Sequence, residues 1–361
     1  MQIKKIVLLF LIGLESLLVS GQKIENEQLK FQLLFAKNKL KNEGCYRIPA
    51  IAKANNGDLI VAIDERNQNC GDLKFNGNID IVIKRSHDNG KTWSSREMVV
   101  DFPESESASD PSIIVSPKTG ELLLFYNYMN LKTEKDIYKQ HVVSSYDHGK
   151  TWGKPRDITG QININGHEKD FKFITSGAGV STRNGVLLNT LVNLDKGLFV
   201  IKSTNDGKDW SILPNPIKPA DESKIIELSD GTWMINSRVV KGGQRYVHLS
   251  KDEGKSWISK VENQLNDPSC NADLISVSRK NENEILIFSH LDHKSERKNL
   301  VVRYSTDFGI TWSKSIIIYS GSAAYSDLIE MENGEIGLVF EKDDYSEIVF
   351  CQFPISWLLD Q

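Results

Sequence analysis

Hydrophobic residues along this chain come in short runs, and within several of them they alternate with polar residues. Ile79-Asp80-Ile81-Val82-Ile83 and Asn299-Leu300-Val301-Val302-Arg303 are examples. A period of two sends successive side chains to opposite faces of an extended backbone, so these runs predict half-buried β-strands. Such runs lead into a recurring pattern, S-x-D-x-G-x-T-W. Copies span Ser86 to Trp93, Ser145 to Trp152, Ser250 to Trp257 and Ser305 to Trp312. In a fifth, Ser203 to Trp210, Asn205 replaces the aspartate and Asp209 the threonine.

The box has the composition of a hairpin turn. Its aspartate can accept bonds from N–H groups within the turn, its glycine tolerates positive φ, and its tryptophan can pack back on the sheet. All five copies therefore read as structural. Between the boxes runs a second series of turn signals: Asn56-Gly57, Thr119-Gly120, Asn184-Gly185, Asp230-Gly231, Asn281-Glu282-Asn283 and Asn333-Gly334. Two hairpins per unit make four strands, and a period of roughly 50–60 residues suits one blade of a β-propeller. The expectation is an all-β fold, a six-bladed propeller with four-stranded antiparallel blades. The last blade, ending at Glu347-Ile348-Val349-Phe350, lacks a box. No linker divides residues 22–361, so they read as one domain.

Equivalent blades place residues of equal offset at equal positions around the axis. Nine or ten residues before the inner turn glycines stand Arg47, Asp110, Glu222 and Tyr325, each followed by an apolar run. Such residues should stand at the start of an inner hairpin, near the mouth where propellers bind their ligands. Arg66 and Arg238 follow inner turns, and Arg297 precedes the last full box. An arginine fork matches a carboxylate, and several at one axis would bind a small anion.

Net charge narrows the partners. At −4 over 361 residues, nothing attracts nucleic acid or an anionic membrane in bulk, so anion binding must be local. Lys4, Lys5, the apolar stretch Ile6 to Leu14 and the small residues Val19-Ser20-Gly21 read as an export signal over residues 1–21, implying a secreted or periplasmic product. Cys45, Cys70, Cys270 and Cys351 lack metal-ligand spacing; either one or two disulfides or ordinary buried thiols are compatible with them. No metal or organic cofactor is expected.

Cys45-Tyr46-Arg47-Ile48-Pro49-Ala50 resembles the arginine-isoleucine-proline motif that opens the catalytic domain of bacterial exo-sialidases, and the repeated boxes resemble that family's Asp-boxes. The similarity runs from about Tyr46 to Trp357. It implies Arg47, Arg238 and Arg297 as the clamp on a sialic acid carboxylate, with Arg303 as fallback for the third. It implies Tyr325 as nucleophile, Glu222 as its base and Asp72 as acid/base, with Arg66 and Asp110 lining the pocket for the sugar's substituents. A phenol suits such a substrate, because a carboxylate nucleophile would be repelled by the carboxylate at the reacting carbon; guanidinium charge nearby should favour the phenolate. Sialylated glycoproteins, glycolipids or oligosaccharides would be the substrates. Trans-sialylation is the rival within enzymes; a non-catalytic Asp-box propeller acting as lectin or scaffold is the rival outside them.

Overall fold

A computed structural model describes residues 29–37, 44–164, 170–278 and 284–360; the export signal and the turn at Asn281-Glu282-Asn283 lie outside them. The fold is all-β apart from short 3-10 turns and one terminal helix, Ile355–Leu359. Among the described residues no helix is long and apolar enough to cross a membrane.

The strands form antiparallel meanders. The first sheet comprises Cys45–Lys53, Leu59–Arg66, Ile79–Ser86 and Glu97–Val100. The second comprises Glu106–Val115, Leu122–Asn130, Lys139–Ser145 and Arg156–Asp157, with Gly177–Ala178 added in parallel. The third is built on Leu187–Asn193 and Gly197–Ser203, and the fourth on Ser223–Glu227, Trp233–Ser237, Gly243–Ser250 and Ile258–Asp267. A seven-stranded array completes the chain, and its long strand Ile316–Glu330 serves two meanders. The first half of that strand pairs with Lys298–Ser305 in a fifth sheet; the second half pairs with Glu335–Lys342 in a sixth. The outer strand of the sixth is Gln32–Ala36, antiparallel to Glu347–Pro354. That pairing explains why the last unit needs no box: its outer strand comes from the other end of the chain.

The strands bury both faces more fully than simple alternation predicts. In Leu59–Ile63, Ile60 packs with Ala62 against the second sheet, while Leu59, Val61 and Ile63 pack against the sixth. Each neighbouring pair of sheets encloses its own apolar core in this way, including the second with the third around Phe125 and Trp210, and the fifth with the sixth around Ile287 and Phe340. Burying one such side chain contributes about 1.5–3 kcal/mol, so sheet-on-sheet packing, not the turns, carries the stability.

The boxes cap the outer hairpins. In the first, the Thr92 N–H donates to Asp88 Oδ1 at 2.8 Å, the Thr92 hydroxyl to Oδ2 at 2.7 Å and the Gly90 N–H to Ser86 Oγ at 2.9 Å. These hydroxyl and N–H donors hold the Asp88 carboxyl down at about 2. The altered copy keeps the link with roles exchanged: the Asn205 amide donates to Asp209 Oδ2 at 2.8 Å.

Polar ties join neighbouring inner strands. Ile51 N–H donates to Asp327 Oδ2 and Leu328 N–H to Asp273 Oδ2, both at 2.8 Å. Lys224 Nζ reaches Ser176 O at 2.6 Å, Asp327 at 3.2 Å and Asp273 at 3.6 Å. Gly177 makes room for this ammonium: a Cβ there would lie 1.8 Å from Lys224 Nζ. The inner edge of the third sheet is broken at this point, so that unit places no site residue at the shared offset.

Candidate active site

Three of the offset-matched residues sit at irregularities in their strands, not at the strand starts. Register shifts fall between Arg47 and Ala50, between Ser109 and Ser112, and between Ala323 and Ser326; the first starts at Arg47 and the other two bracket Asp110 and Tyr325. A bulge frees a side chain from the two-face alternation and re-aims it. Ile48 follows Arg47 at φ 62°, and Asp110 itself stands at φ 59°. A β-branched residue in that region is strained, a kind of strain that clusters at functional sites. Glu341 holds the bend at Ile48, accepting its N–H at 2.8 Å.

The structure brings Tyr325, Glu222 and Arg238 into direct contact. Tyr325 Oη donates to Glu222 Oε2 at 2.7 Å, and Arg238 Nη1 lies 2.8 Å from the same oxygen and 3.2 Å from the phenol. Glu222 directly precedes the first strand of the fourth sheet and Tyr325 lies in the sixth, so this contact joins two sheets that do not follow one another along the chain. Arg238 is also held by Asp221 at 3.1 Å. Arg297 lies 5.5 Å from the Tyr325 ring centroid and bonds Ser269 O and Tyr345 Oη. Arg47 lies 4.0 Å over the Tyr345 ring and 5.8 Å from the Tyr325 ring, its Nε on Glu341 at 2.7 Å. Arg303 instead pairs with Asp292 at 3.3 Å and Ser313 O at 2.7 Å, so of the two candidates Arg297 is the one beside Tyr325.

The remaining members form a second group beside Arg47. Arg66 Nη2 pairs with Asp64 and its Nη1 with Asp72, each at 3.0 Å. Asp110 accepts from Asn127 at 3.2 Å, and its N–H donates to Asp64 Oδ1 at 2.9 Å. The Asp72 side chain is 75% exposed, yet it feels the charges of Arg47 and Arg297. All eight sequence-selected residues therefore share one electrostatic neighbourhood.

Proton affinities follow from burial first. Loss of water raises Glu222 to about 7 against the pull of Arg238. It also holds the Tyr325 phenol well above its ordinary value despite Arg238 and Arg297. The arginine charges do pull toward the phenolate as expected, but desolvation outweighs them, and a neutral phenol donates to its partner. Burial and the Asp64 charge raise Asp110 to about 7. At Asp72 desolvation would also raise the pKa, but Arg66, Arg47 and Arg297 together outweigh it and keep the carboxyl below its ordinary range.

Sequence offsets missed several residues that the structure makes central. Glu341 joins Arg47, Ile48 and Tyr325, accepting the Tyr325 N–H at 3.1 Å. Asp64, Asp221 and Tyr345 fix other members. A signal for two of them existed: Asp64, Asn127, Arg238 and Glu341 all stand seven residues after an inner turn glycine. The cysteines resolve into a Cys45–Cys70 disulfide and two buried thiols, Cys270 and Cys351. Among the described residues no group of three or more His, Cys, Asp or Glu could hold a metal ion.

Fold and site together define an all-β repeat protein with a phenol–carboxylate pair ringed by arginines. The chain belongs to the family of BNR repeat-like domains, whose profile matches residues 73–338. It is 27% identical over 334 residues to a sialidase of Bacteroides fragilis, covering 83% of this chain and 60% of that protein. To a sialidase of Micromonospora viridifaciens it is 28% identical over 342 residues, covering 87% and 52%. It thus spans little more than half the length of these two relatives. Among solved structures, a Hadza microbial sialidase superimposes with a TM-score of 0.80 at 25% identity, over 89% of this chain and 68% of that one.

Proposed function

We propose that this protein is a retaining exo-α-sialidase that removes terminal sialic acid from glycoproteins, glycolipids or oligosaccharides. The observation that carries the proposal is the 2.7 Å contact between Tyr325 Oη and Glu222 Oε2, with Arg238 on the same two oxygens. The scaffold is a closed six-bladed propeller, supported by the apolar cores between successive sheets and by the tie from Ile51 in the first sheet to Asp327 in the sixth. The product acts outside the cytoplasm.

In the mechanism, Arg47, Arg238 and Arg297 bind the substrate carboxylate, and the anomeric carbon settles over Tyr325. The phenol oxygen attacks that carbon while its proton passes to Glu222, a base whose raised affinity suits a neutral-pH transfer. Asp72 gives a proton to the departing glycosidic oxygen. Substrate entering between Arg66 and Asp72 weakens their ion pair and raises the proton affinity of Asp72 toward that task. In the second half Asp72 takes a proton from water, water displaces the tyrosine from the sugar, and Glu222 returns the proton to the phenol. Two inversions give retention. Arg66 and Asp110 face the sugar's substituents.

Hydrolysis of a fluorogenic sialoside by the full chain tests this. Wild type should release the fluorophore, and Tyr325→Phe should lose at least about a thousand-fold in kcat. An inactive wild type, or a Tyr325→Phe protein of full activity, overturns the assignment.

A further inference from the structure

We propose that the Cys45–Cys70 disulfide positions the catalytic acid, so that reducing it selectively removes activity on substrates whose leaving group needs a proton. The inference rests on the acid role given to Asp72.

The disulfide has its Cα atoms 5.5 Å apart and joins two parts of the site. Cys45 lies two residues before Arg47 and is buried; Cys70 lies two residues before Asp72 and is half-buried. The loop between Arg66 and Ile79 has two differently anchored halves. Its far half is tied to the second sheet and the strand connection before it: Ser107 Oγ donates to Asn76 O at 3.0 Å and Asn78 Nδ2 to Phe102 O at 3.3 Å. Asn67 and Gln68 are tied to Asp80, Lys37 and Glu104; the near half that follows and carries the acid, Cys70 to Asp72, has fewer links to the body. Gly71 N–H bonds Asn69 Oδ1 at 2.6 Å within the loop itself. From outside the loop, Arg66 Nη1 reaches these three residues, donating to Cys70 O at 2.9 Å, Gly71 O at 3.1 Å and Asp72 Oδ1 at 3.0 Å.

Among the described residues, one guanidinium nitrogen and one disulfide therefore tie Cys70, Gly71 and Asp72 directly to the strands Cys45–Lys53 and Leu59–Arg66, while Leu73 beyond them is buried in the neighbouring core. In the proposed mechanism substrate draws on Arg66 and loosens the first anchor when Asp72 must be held in place. The covalent link does not loosen. Arg47 needs no such help, since Glu341 fixes it from the sixth sheet. Reduction by a dithiol consumes two electrons and two protons and leaves two thiols and the oxidised, cyclised reagent. It frees the near half while the Tyr325–Glu222 pair, built on other sheets, stays assembled.

The test compares sialyllactose, whose alcohol leaving group needs a proton, with an aryl sialoside, whose phenol does not. Assays use the oxidised full chain, the chain treated with dithiothreitol, Cys45→Ser/Cys70→Ser, and Asp72→Ala, with alkylation and mass measurement counting thiols and circular dichroism checking the fold. Reduced and double-variant proteins should lose about tenfold to a hundredfold in kcat/KM, which reports the step that expels the leaving group, on sialyllactose and less than about threefold in kcat/KM on the aryl substrate. Asp72→Ala should show the same split, larger. If Asp72→Ala shows the split and the folded double variant shows none, or loses both activities equally, the positioning role is wrong. If Asp72→Ala itself shows no split, the acid assignment falls and takes this inference with it.

Discussion

Two clusters of buried charge lie near the axis, and they are solved in opposite ways. At Lys224 one ammonium faces Asp327, Asp273 and Ser176 O, and its side chain is 3% exposed. Burial raises the proton affinity of Asp327 against the pull of Lys224, because Asp273 competes for the same cation. Around Tyr325 and Arg47 four arginines and at least as many carboxylates gather, and while protein groups engage every nitrogen of Arg66 and Arg238, they leave part of the other two guanidiniums open. Arg47 Nη1 and Arg297 Nε make no hydrogen bond to another described residue. A closed cluster of matched charge serves the fold; one with donors left over can serve a ligand.

Substitutions in the two clusters should separate accordingly. Glu222→Gln should reduce kcat by about 10²–10⁴-fold while the protein stays folded. Because the active form of Glu222 is ionised and its affinity lies at about 7, wild-type kcat/KM should climb with pH through that region; the variant's profile should lack that limb. Lys224→Met strands two carboxylates in the interior and should cost about 3–5 kcal/mol in denaturant melts, with Asp327→Asn added to it recovering part of the loss. A Lys224→Met protein as stable as wild type would erase the contrast drawn here. Arg297→Ala should lower kcat/KM by about ten- to a hundred-fold with a stability change under about 1 kcal/mol.

The outer rim should respond least. Asp88 and Asp147 are held at about 2 by hydroxyl and N–H donors, against about 3.9 in an unfolded chain. A depressed carboxylate stabilises fully above the unfolded value and loses that contribution as pH falls through the folded one. Acid melts between about pH 4 and pH 2 should therefore be shallower in Asp88→Asn/Asp147→Asn, with little change at neutral pH and none in kcat.

Legibility in the sequence tracks how local each cause is. The boxes were readable because donor and acceptor lie four residues apart. Arg47, Asp110, Glu222 and Tyr325 were readable because repetition converts a shared offset into a shared place. Glu341 escaped because only the offset before the turn was compared, not the one after it. The Cys45–Cys70 pairing escaped because it depends on how a loop folds back over a bulged strand. The protonation of Tyr325 escaped for another reason: adjacent arginines are visible in a sequence, whereas the water they displace is not.

The pairing of Gln32–Ala36 with Glu347–Pro354 sets a timetable for synthesis. While the chain emerges from the ribosome, Gln32–Ala36 has no strand partner until Glu347–Pro354 appears, and Leu34 and Phe35 wait for the half of their apolar surroundings that Val339, Ile348 and Phe350 supply. For that interval an unmatched edge is offered to any passing strand. The pairing thus waits on nearly all of the described chain, and until it forms that strand edge stays open.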